Sequence, residues 1–558
     1  FLRWKTGATG LLAGGFGNGG LALALAWFED PPPFQEPYFL QGNPLVFVAG
    51  VGLVGLVAAL LRRAGLAPNL GLWSLGLLGW ALSRRSVVEP PAVTPPAGAP
   101  NILVVTLDTT RADRLGAYGN EKVDTRNFDQ LAREGTLFMD TSAVAAVTGP
   151  SHSSMFTGNG PWEHGVLLNG VPIPEDRPML AELLHDGGWR TAAFVSAYVL
   201  DGKLGFARGF QVYDDDFSWF RGLDGLLPAR TVAMALRRFS PDEVLERRSV
   251  DTVDLALHWI KSQDQTWMAW VHLFDPHGPY DPPPPYDTRY YAGDPRDPAH
   301  HSMEQVTGVA PYLKASLQGI TDVDYVIAQY EGELSYTDSQ LGRLLEAVDR
   351  RTTLVVVIGD HGESLGEHGV WFNHGDDVYE SSVHVPFVIR WPGQVPEGVQ
   401  VTSPVEGTDL APTVLDLVGL PIPSTMSGRS AARLAEGQGQ PRSMAHSMCF
   451  DRQANQQERA AGRITAPRYR MVGIRGPTSR YVYQELAATG QYFDLKTDPL
   501  GVQDTLPTMR QSSQGEMLIG VLDEQARVLL GDQATQRSAV ELSAEERARL
   551  EALGYLEQ

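Results

Sequence analysis

Hydrophobic positions follow two different patterns along this chain, and the change between them falls near residue 87. Residues 6–28 hold no charged side chain. Neither do residues 43–61, rich in Val, Leu and Gly, nor residues 65–82, which Pro68 and Asn69 interrupt. A hydrocarbon core of ~30 Å takes about 20 apolar residues at ~1.5 Å rise per residue. Residues 1–86 are therefore predicted to form a membrane anchor of two or three transmembrane helices. Arg3 and Lys5 precede the first run, Arg62 and Arg63 separate the second from the third, and the loop 29–42 has no basic residue. Basic loops stay on the cytoplasmic side. With three spans, that places the rest of the chain outside: an integral membrane protein with an extracytoplasmic body, periplasmic in a Gram-negative bacterium. Arg84 and Arg85, just after the third run, weigh the other way. Gly10 with Gly14, and Gly15 with Gly19, have the spacing that lets another helix approach closely, a sign of helix-packing partner subunits.

Residues 87–100, "VVEPPAVTPPAGAP", carry five prolines in fourteen positions and read as a stiff, extended linker. Beyond it the apolar runs shorten to between five and eight residues, with β-branched side chains, as in strands buried on both faces of a parallel sheet. Each run ends in chemistry. Residues 102–107 lead to Asp108, residues 267–274 to Asp275 and His277 with His272 inside the run, and residues 354–358 to Asp360 and His361. The C-terminal ends of such strands are where α/β proteins bind ligands. Any one of these acids could merely cap a turn; three strands delivering Asp or His to one sheet edge is a stronger signal. Residues 101–423 are read as the catalytic core and 424–558 as a smaller C-terminal subdomain and tail, whose last helix, residues 543–553, is amphipathic and charged. Residues 201–330 show no further motif and are expected to hold substrate-facing insertions.

Charge and cysteine content narrow the classes. The 558 residues carry 45 Lys and Arg against 66 Asp and Glu, a formal net charge of −21, which disfavours a nucleic-acid partner. Cys449 is the only cysteine, so no intrachain disulfide can form.

The stretch "AVTGPSHSSMFTG" raises the chemical question. Thr148 precedes Gly149-Pro150, and Ser151 is predicted to cap a helix beginning near His152. A hydroxyl at a helix N-terminus faces unpaired N–H groups and suits attack on phosphate or sulfate. Threonine is a weak nucleophile unless its alkoxide is stabilised, most directly by a metal ion. The candidate ligands are Asp108, Asp360, His361, His374, Asp275 and His277. A mixed carboxylate and imidazole set suits zinc or manganese, whereas calcium prefers oxygen.

Taken together, "LDTTRADRLGAYG", "TGPSHSSMFTG", "FDPHGPY", "YEGELSYTDSQLGRLL", "GDHGESLGEHG" and "HGDDVYESSVHVPFVIRWPG", in this order, resemble the sulfatase family of the alkaline phosphatase superfamily over about residues 100–500. The resemblance implies an alkaline-phosphatase-like α/β/α sandwich. It also implies that Asp108, Asp360 and His361 hold the metal that activates the nucleophile. His277 and His374 then belong to a second metal or to a substrate-oxyanion pocket, with Asp275 and His272 as alternatives, and Arg111 is structural or charge-balancing. In sulfatases the signature is Cys or Ser, x, Pro, Ser or Ala, Arg, and its first residue becomes formylglycine. Here the register gives Thr148, Gly149, Pro150, Ser151, His152. Threonine is no substrate for that conversion, and Thr148 matches the phosphate-transferring branches. "DHGESLGE" followed by "HG" also resembles membrane-bound phosphoethanolamine and phosphoglycerol transferases, although "DTTR" differs from the Glu-containing first motif of the former. The expected function is thus a membrane-anchored metal-dependent hydrolase or transferase of phosphate esters, with Thr148, His277 and His374 catalytic. It would use two divalent metals (zinc or manganese), or one calcium, and act on a lipid headgroup or glycan phosphate. Sulfuric ester hydrolysis without formylglycine, and an accessory subunit with an unused site, are the alternatives.

Overall fold

The short apolar runs become the centre of a sheet because each is buried on both faces: every residue of 267–273 and 353–359 is buried, as are residues 102–107. The computed structural model describes residues 93–216, 246–451 and 470–531, with a few positions between 452 and 469. These belong to one unit, residues 90–219 with 240–558. The predicted membrane segments in 1–86, the start of the linker, residues 217–245 and the helix expected over 543–553 lie outside the described residues. Among the described residues no helix is long and apolar enough to cross a membrane.

Eight strands form the main sheet: β1 (Asn101–Leu107), β2 (Thr136–Phe138), β3 (Arg190–Phe194), β4 (Val212–Asp214), β5 (Trp267–Leu273), β6 (Thr353–Gly359), β7 (Phe387–Arg390) and β8 (Val399–Val401). Their order is β8-β2-β7-β6-β1-β5-β3-β4. β7 runs antiparallel to both β2 and β6, and every other pairing is parallel. Six helices matter for the site: α1 (Arg126–Arg133), α2 (Thr148–Thr157), α3 (Leu180–Asp186), α4 (Ser249–Lys261), α5 (Val323–Ala347) and α6 (Leu410–Leu417). Met155 and Phe156 of α2, Leu184 of α3 and Val414 of α6 share a core with Ile102, Val104 and Val356, the side chains on one face of the sheet. Helices α1, α4 and α5 pack together against the opposite face. This is the three-layer α/β/α arrangement that the family resemblance led one to expect.

A second sheet is an antiparallel meander of β9 (Ala445–Phe450), β10 (Arg470–Gly476), β11 (Ser479–Gln484) and β12 (Thr489–Asp494). Alternation along these strands buries both faces. Val472, Ile474, Tyr481 and Tyr483 meet α7 (Ser513–Gly531) through Ile519, Leu522 and Ala526. Met471, Val482, Phe493 and Cys449 instead meet Ala143, Ala146, Val378 and Val383 of the main body.

For the site, the decisive feature is register. Leu107 at the end of β1 pairs with Leu273 of β5 on one side and Gly359 of β6 on the other. The residues that follow all three strands therefore emerge side by side at one edge. The Asp108 N–H donates to the Leu273 carbonyl and the Asp360 N–H to the Leu107 carbonyl, at 2.9 and 3.1 Å.

Candidate active site

Thr148 stands at the first position of α2, with Val147 as N-cap and no side-chain cap. The helix thus starts four residues earlier than Ser151 and His152 suggested. Pro150 in the first turn is tolerated because the first four N–H groups of a helix have no partner within it. The Ser151 hydroxyl donates instead to the Asp360 carbonyl at 2.6 Å, tying α2 to the end of β6. The expected row of unpaired N–H groups is also reduced. Gly149 N–H donates to Asn169 Oδ1 at 2.8 Å, Pro150 has none, and Ser151 N–H donates to the Val147 carbonyl at 3.0 Å.

Thr148 is fully buried. Its Oγ1 lies 3.1 Å from His361 Nε2 and 3.4 Å from Asp108 Oδ2. The His361 ring is fixed by its Nδ1–H, which donates to the Gly362 carbonyl at 3.0 Å, so Nε2 carries the lone pair. Asp360 Oδ1 accepts from the N–H groups of Thr109 and His361 at 3.1 and 2.6 Å. Thr109 takes the left-handed φ of 45°, rare for a β-branched residue, and this brings its N–H onto Asp360. The Tyr330 hydroxyl holds that conformation by donating to the Thr109 carbonyl at 2.8 Å.

Two carboxylate oxygens, Asp108 Oδ1 and Asp360 Oδ2, are buried and accept no hydrogen bond. Burial raises the Asp108 carboxyl above its ordinary range, and burial together with the Asp108 charge raises Asp360 further. Burial pushes the His361 imidazole well down, so it is neutral. Two such acids with unsatisfied oxygens beside a neutral imidazole are what a divalent cation requires. Asp108, Asp360 and His361 bring donor atoms within 4.8 Å of one another. The set fits manganese or zinc.

Among the described residues one other grouping meets that distance, His152, His272 and Asp360. Its nitrogens are already engaged. His272 Nδ1 accepts from Ser196 N–H at 3.3 Å and Nε2–H donates to Asp108 Oδ2 at 3.1 Å. His152 Nδ1–H donates to the Thr148 carbonyl at 2.9 Å while Nε2 meets Thr106 Oγ1 at 3.0 Å. Burial lowers both rings to about 3, so both are neutral. Neither is a free ligand; His272 orients Asp108.

Three of the expected metal ligands stand outside both groupings. Asp275 Oδ2 accepts the N–H of Ser249 at 2.6 Å and the Ser249 hydroxyl, so it is bound to the first residue of α4. His277 and His374 belong to neither ligand grouping. They stand beside the site: the His374 ring is 4.5 Å from His361 and 4.9 Å from His277. His277 donates Nδ1–H to the Gly278 carbonyl at 2.6 Å, and burial lowers it to about 3. For His374 burial works against charge, but Glu363, 3.4 Å from Nδ1, outweighs it and raises the imidazole above its ordinary value. Arg111 is fully buried and donates to Asp113, Glu367 and the Glu363 carbonyl, fixing the loop that carries Glu363. The sequence reading missed Glu363, Asn169, Thr109 and the role of His152. His152 alone had a signal, one helical turn after Thr148.

Residues 100–420 match the family model described as Sulfatase. The chain belongs to the sulfatase family. Residues 366–525 match a second model, described as N-sulphoglucosamine sulphohydrolase, C-terminal. The uncharacterized sulfatase YidJ of Escherichia coli is 26% identical over 374 residues, covering 61% of this chain and 72% of its own. An arylsulfatase of Clostridium perfringens is 26% identical over 381 residues, covering 60% and 78%. Among solved structures, the phosphonate monoester hydrolase of Agrobacterium radiobacter superposes with a TM-score of 0.59 at 24% identity, covering 80% of this chain and 99% of that one. In this sulfatase-family site, Asp360→Asn is expected to lower divalent-metal affinity by more than the ~10–100-fold typical of losing a ligand's orienting partner. His272→Ala is expected to fall within that range. Metal-buffer titration of the two purified variants checks both.

Proposed function

We propose that this chain is a metal-dependent hydrolase of phosphate or phosphonate esters in which Thr148 is the nucleophile. One observation carries the reading: the Thr148 hydroxyl sits between Asp108 and His361, beside two buried carboxylate oxygens that have no other partner. Asp108, Asp360 and His361 would hold one divalent cation, which when bound stabilises an alkoxide and neutralises the ester oxygens. The Thr148 proton has two acceptors in reach, and with His361 Nε2 given to the cation, Asp108 Oδ2 is the one left to take it. Thr148 Oγ1 then bonds to phosphorus and the alcohol oxygen leaves. His374, whose ring is biased toward the protonated form by Glu363 at 3.4 Å, donates a proton to that oxygen. His277, neutral with its lone pair on Nε2, takes a proton from the water whose oxygen bonds to phosphorus, and Asp108 returns its proton to Thr148 Oγ1 as the phospho-threonine bond breaks.

Sulfate esters are the second reading, favoured by the sulfatases among the relatives. A sulfated threonine has no hemiacetal route for release, which weighs against it. An accessory subunit with an unused site would not need two unsatisfied buried carboxylates. The uncharged runs in residues 1–86 support a membrane tether with the site outside the cytoplasm, where a lipid headgroup or glycan ester would be in reach. The test is rapid acid quenching of the His277→Ala variant during turnover of a phosphodiester, followed by peptide mass spectrometry. A phosphoryl group on the peptide holding Thr148 is expected. Turnover with that peptide never modified would sink the proposal.

A further inference from the structure

The catalytic steps leave one buried histidine of the site without a task. His152 is fully buried and makes three contacts that converge on the nucleophile. Its Nδ1–H donates to the carbonyl of Thr148 at 2.9 Å. Its Nε2 accepts from the Thr106 hydroxyl at 3.0 Å, and Thr106 Oγ1 in turn accepts from Trp270 Nε1–H at 3.0 Å. Its ring stands edge-on to His272 with centroids 5.1 Å apart, and His272 holds Asp108. Thr106 lies on β1 and Trp270 on β5, the strands that deliver Asp108 and the His272–His277 segment.

We infer that His152 is the positioning residue of the nucleophile: it locks the first turn of α2 to β1 and β5, so that Thr148 Oγ1 stays between Asp108 and His361. The inference rests on the Thr148 reading. An anchor on the main-chain carbonyl fixes the Thr148 backbone rather than its hydroxyl, which is left free for chemistry. The ring also fits the charge balance. Asp360 Oδ2 lies 3.6 Å from Nδ1, and an uncharged side chain there leaves that oxygen to a cation. A misplacement of about 1 Å at a reacting centre costs roughly 100-fold in rate.

The experiment compares His152→Ala, His152→Asn and Thr148→Ala for kcat, KM, metal content and melting temperature. Asn places its side-chain N–H where Nδ1–H was and should still reach the Thr148 carbonyl. His152→Ala is expected to lose about 30–100-fold in kcat, with KM and metal content unchanged, and His152→Asn, which keeps the bond to Thr148 but not the one to Thr106, to recover part of the loss. A kcat within twofold of the parent in His152→Ala, or equal damage in Ala and Asn, would overturn the inference. If His152→Ala does not fold, Thr106→Val serves in its place, and its kcat should drop several-fold at constant KM; an unchanged kcat there overturns the inference equally. Thr148→Ala separates the two ideas: if that variant keeps its activity, the nucleophile assignment fails whatever His152 does.

Discussion

Thr148→Ala should lower kcat by about a thousand-fold or more, the scale of removing a nucleophile that acts as one unit with its activating groups. Metal content and melting temperature should hold. The hydroxyl makes only a 3.1 Å contact with His361 Nε2 and a 3.4 Å contact with Asp108 Oδ2, and its loss leaves the Asp108, Asp360 and His361 donor set in place. The methyl group lost with it costs little beyond a small void. Thr148→Ser keeps the nucleophile and should retain measurable turnover, reduced because serine lacks the branch that restricts χ1. Steady-state kinetics on metal-loaded protein, with elemental analysis of the same samples, checks both. A Thr148→Ala enzyme with parental kcat would overturn the nucleophile assignment.

The largest expected stability effect lies away from the catalytic groups, where the second sheet meets the main body. Arg475 on β10 and Arg480 on β11 are directly opposite each other across the strand pair. Like charges in that position repel, and both are buried. One carboxylate holds them: Glu380 Oε1 accepts from Arg480 Nε, and Arg475 Nε lies 3.2 Å away. Arg475 also reaches Asp140 at 3.0 Å. Burial alone would raise the Glu380 carboxyl, but Arg475 and Arg480 bring it from its ordinary 4.5 down to about 2. Burial opposes the Arg480 charge as well, so the net worth of the cluster is less than its Coulomb attraction. Breaking it is another matter. Glu380→Ala leaves two desolvated guanidiniums facing each other and should cost about 3–5 kcal/mol, read as a lower midpoint in denaturant. The pH dependence has a definite sign. A depressed carboxyl stabilises the fold fully above its unfolded value, and that share is lost as pH falls from about 4.5 through about 2. The shift corresponds to about 3 kcal/mol. Glu380→Gln should flatten that limb of the stability profile.

Much of the site was legible before any coordinates. Asp108, Asp360 and His361 end apolar runs, and a run that ends in an acid can be read locally. The reading faltered where a residue's partner is distant in sequence. Asp275 ends its strand just as Asp108 does, yet it is spent on Ser249, which precedes it by 26 positions. His374 owes its raised proton affinity to Glu363, and Thr109 its strained backbone to Tyr330 and Asp360. The start of α2 was misjudged because Gly149-Pro150 reads as a turn, although proline at the third helical position forfeits no hydrogen bond.

By itself the sequence determined what is encoded in short windows: the short buried strands, the acids and histidines at their ends, and the uncharged runs within residues 1–86. Local sterics and side-chain periodicity act over a few residues, so a few residues suffice to reveal them. Only the tertiary structure decided which of those side chains have an unsatisfied lone pair. That depends on the register of β1 between β5 and β6 and on which donors the other layers bring to each oxygen. Asp108 Oδ1 and Asp360 Oδ2 accept no hydrogen bond from the layers around them, and burial makes leaving them unpaired costly enough to favour a cation.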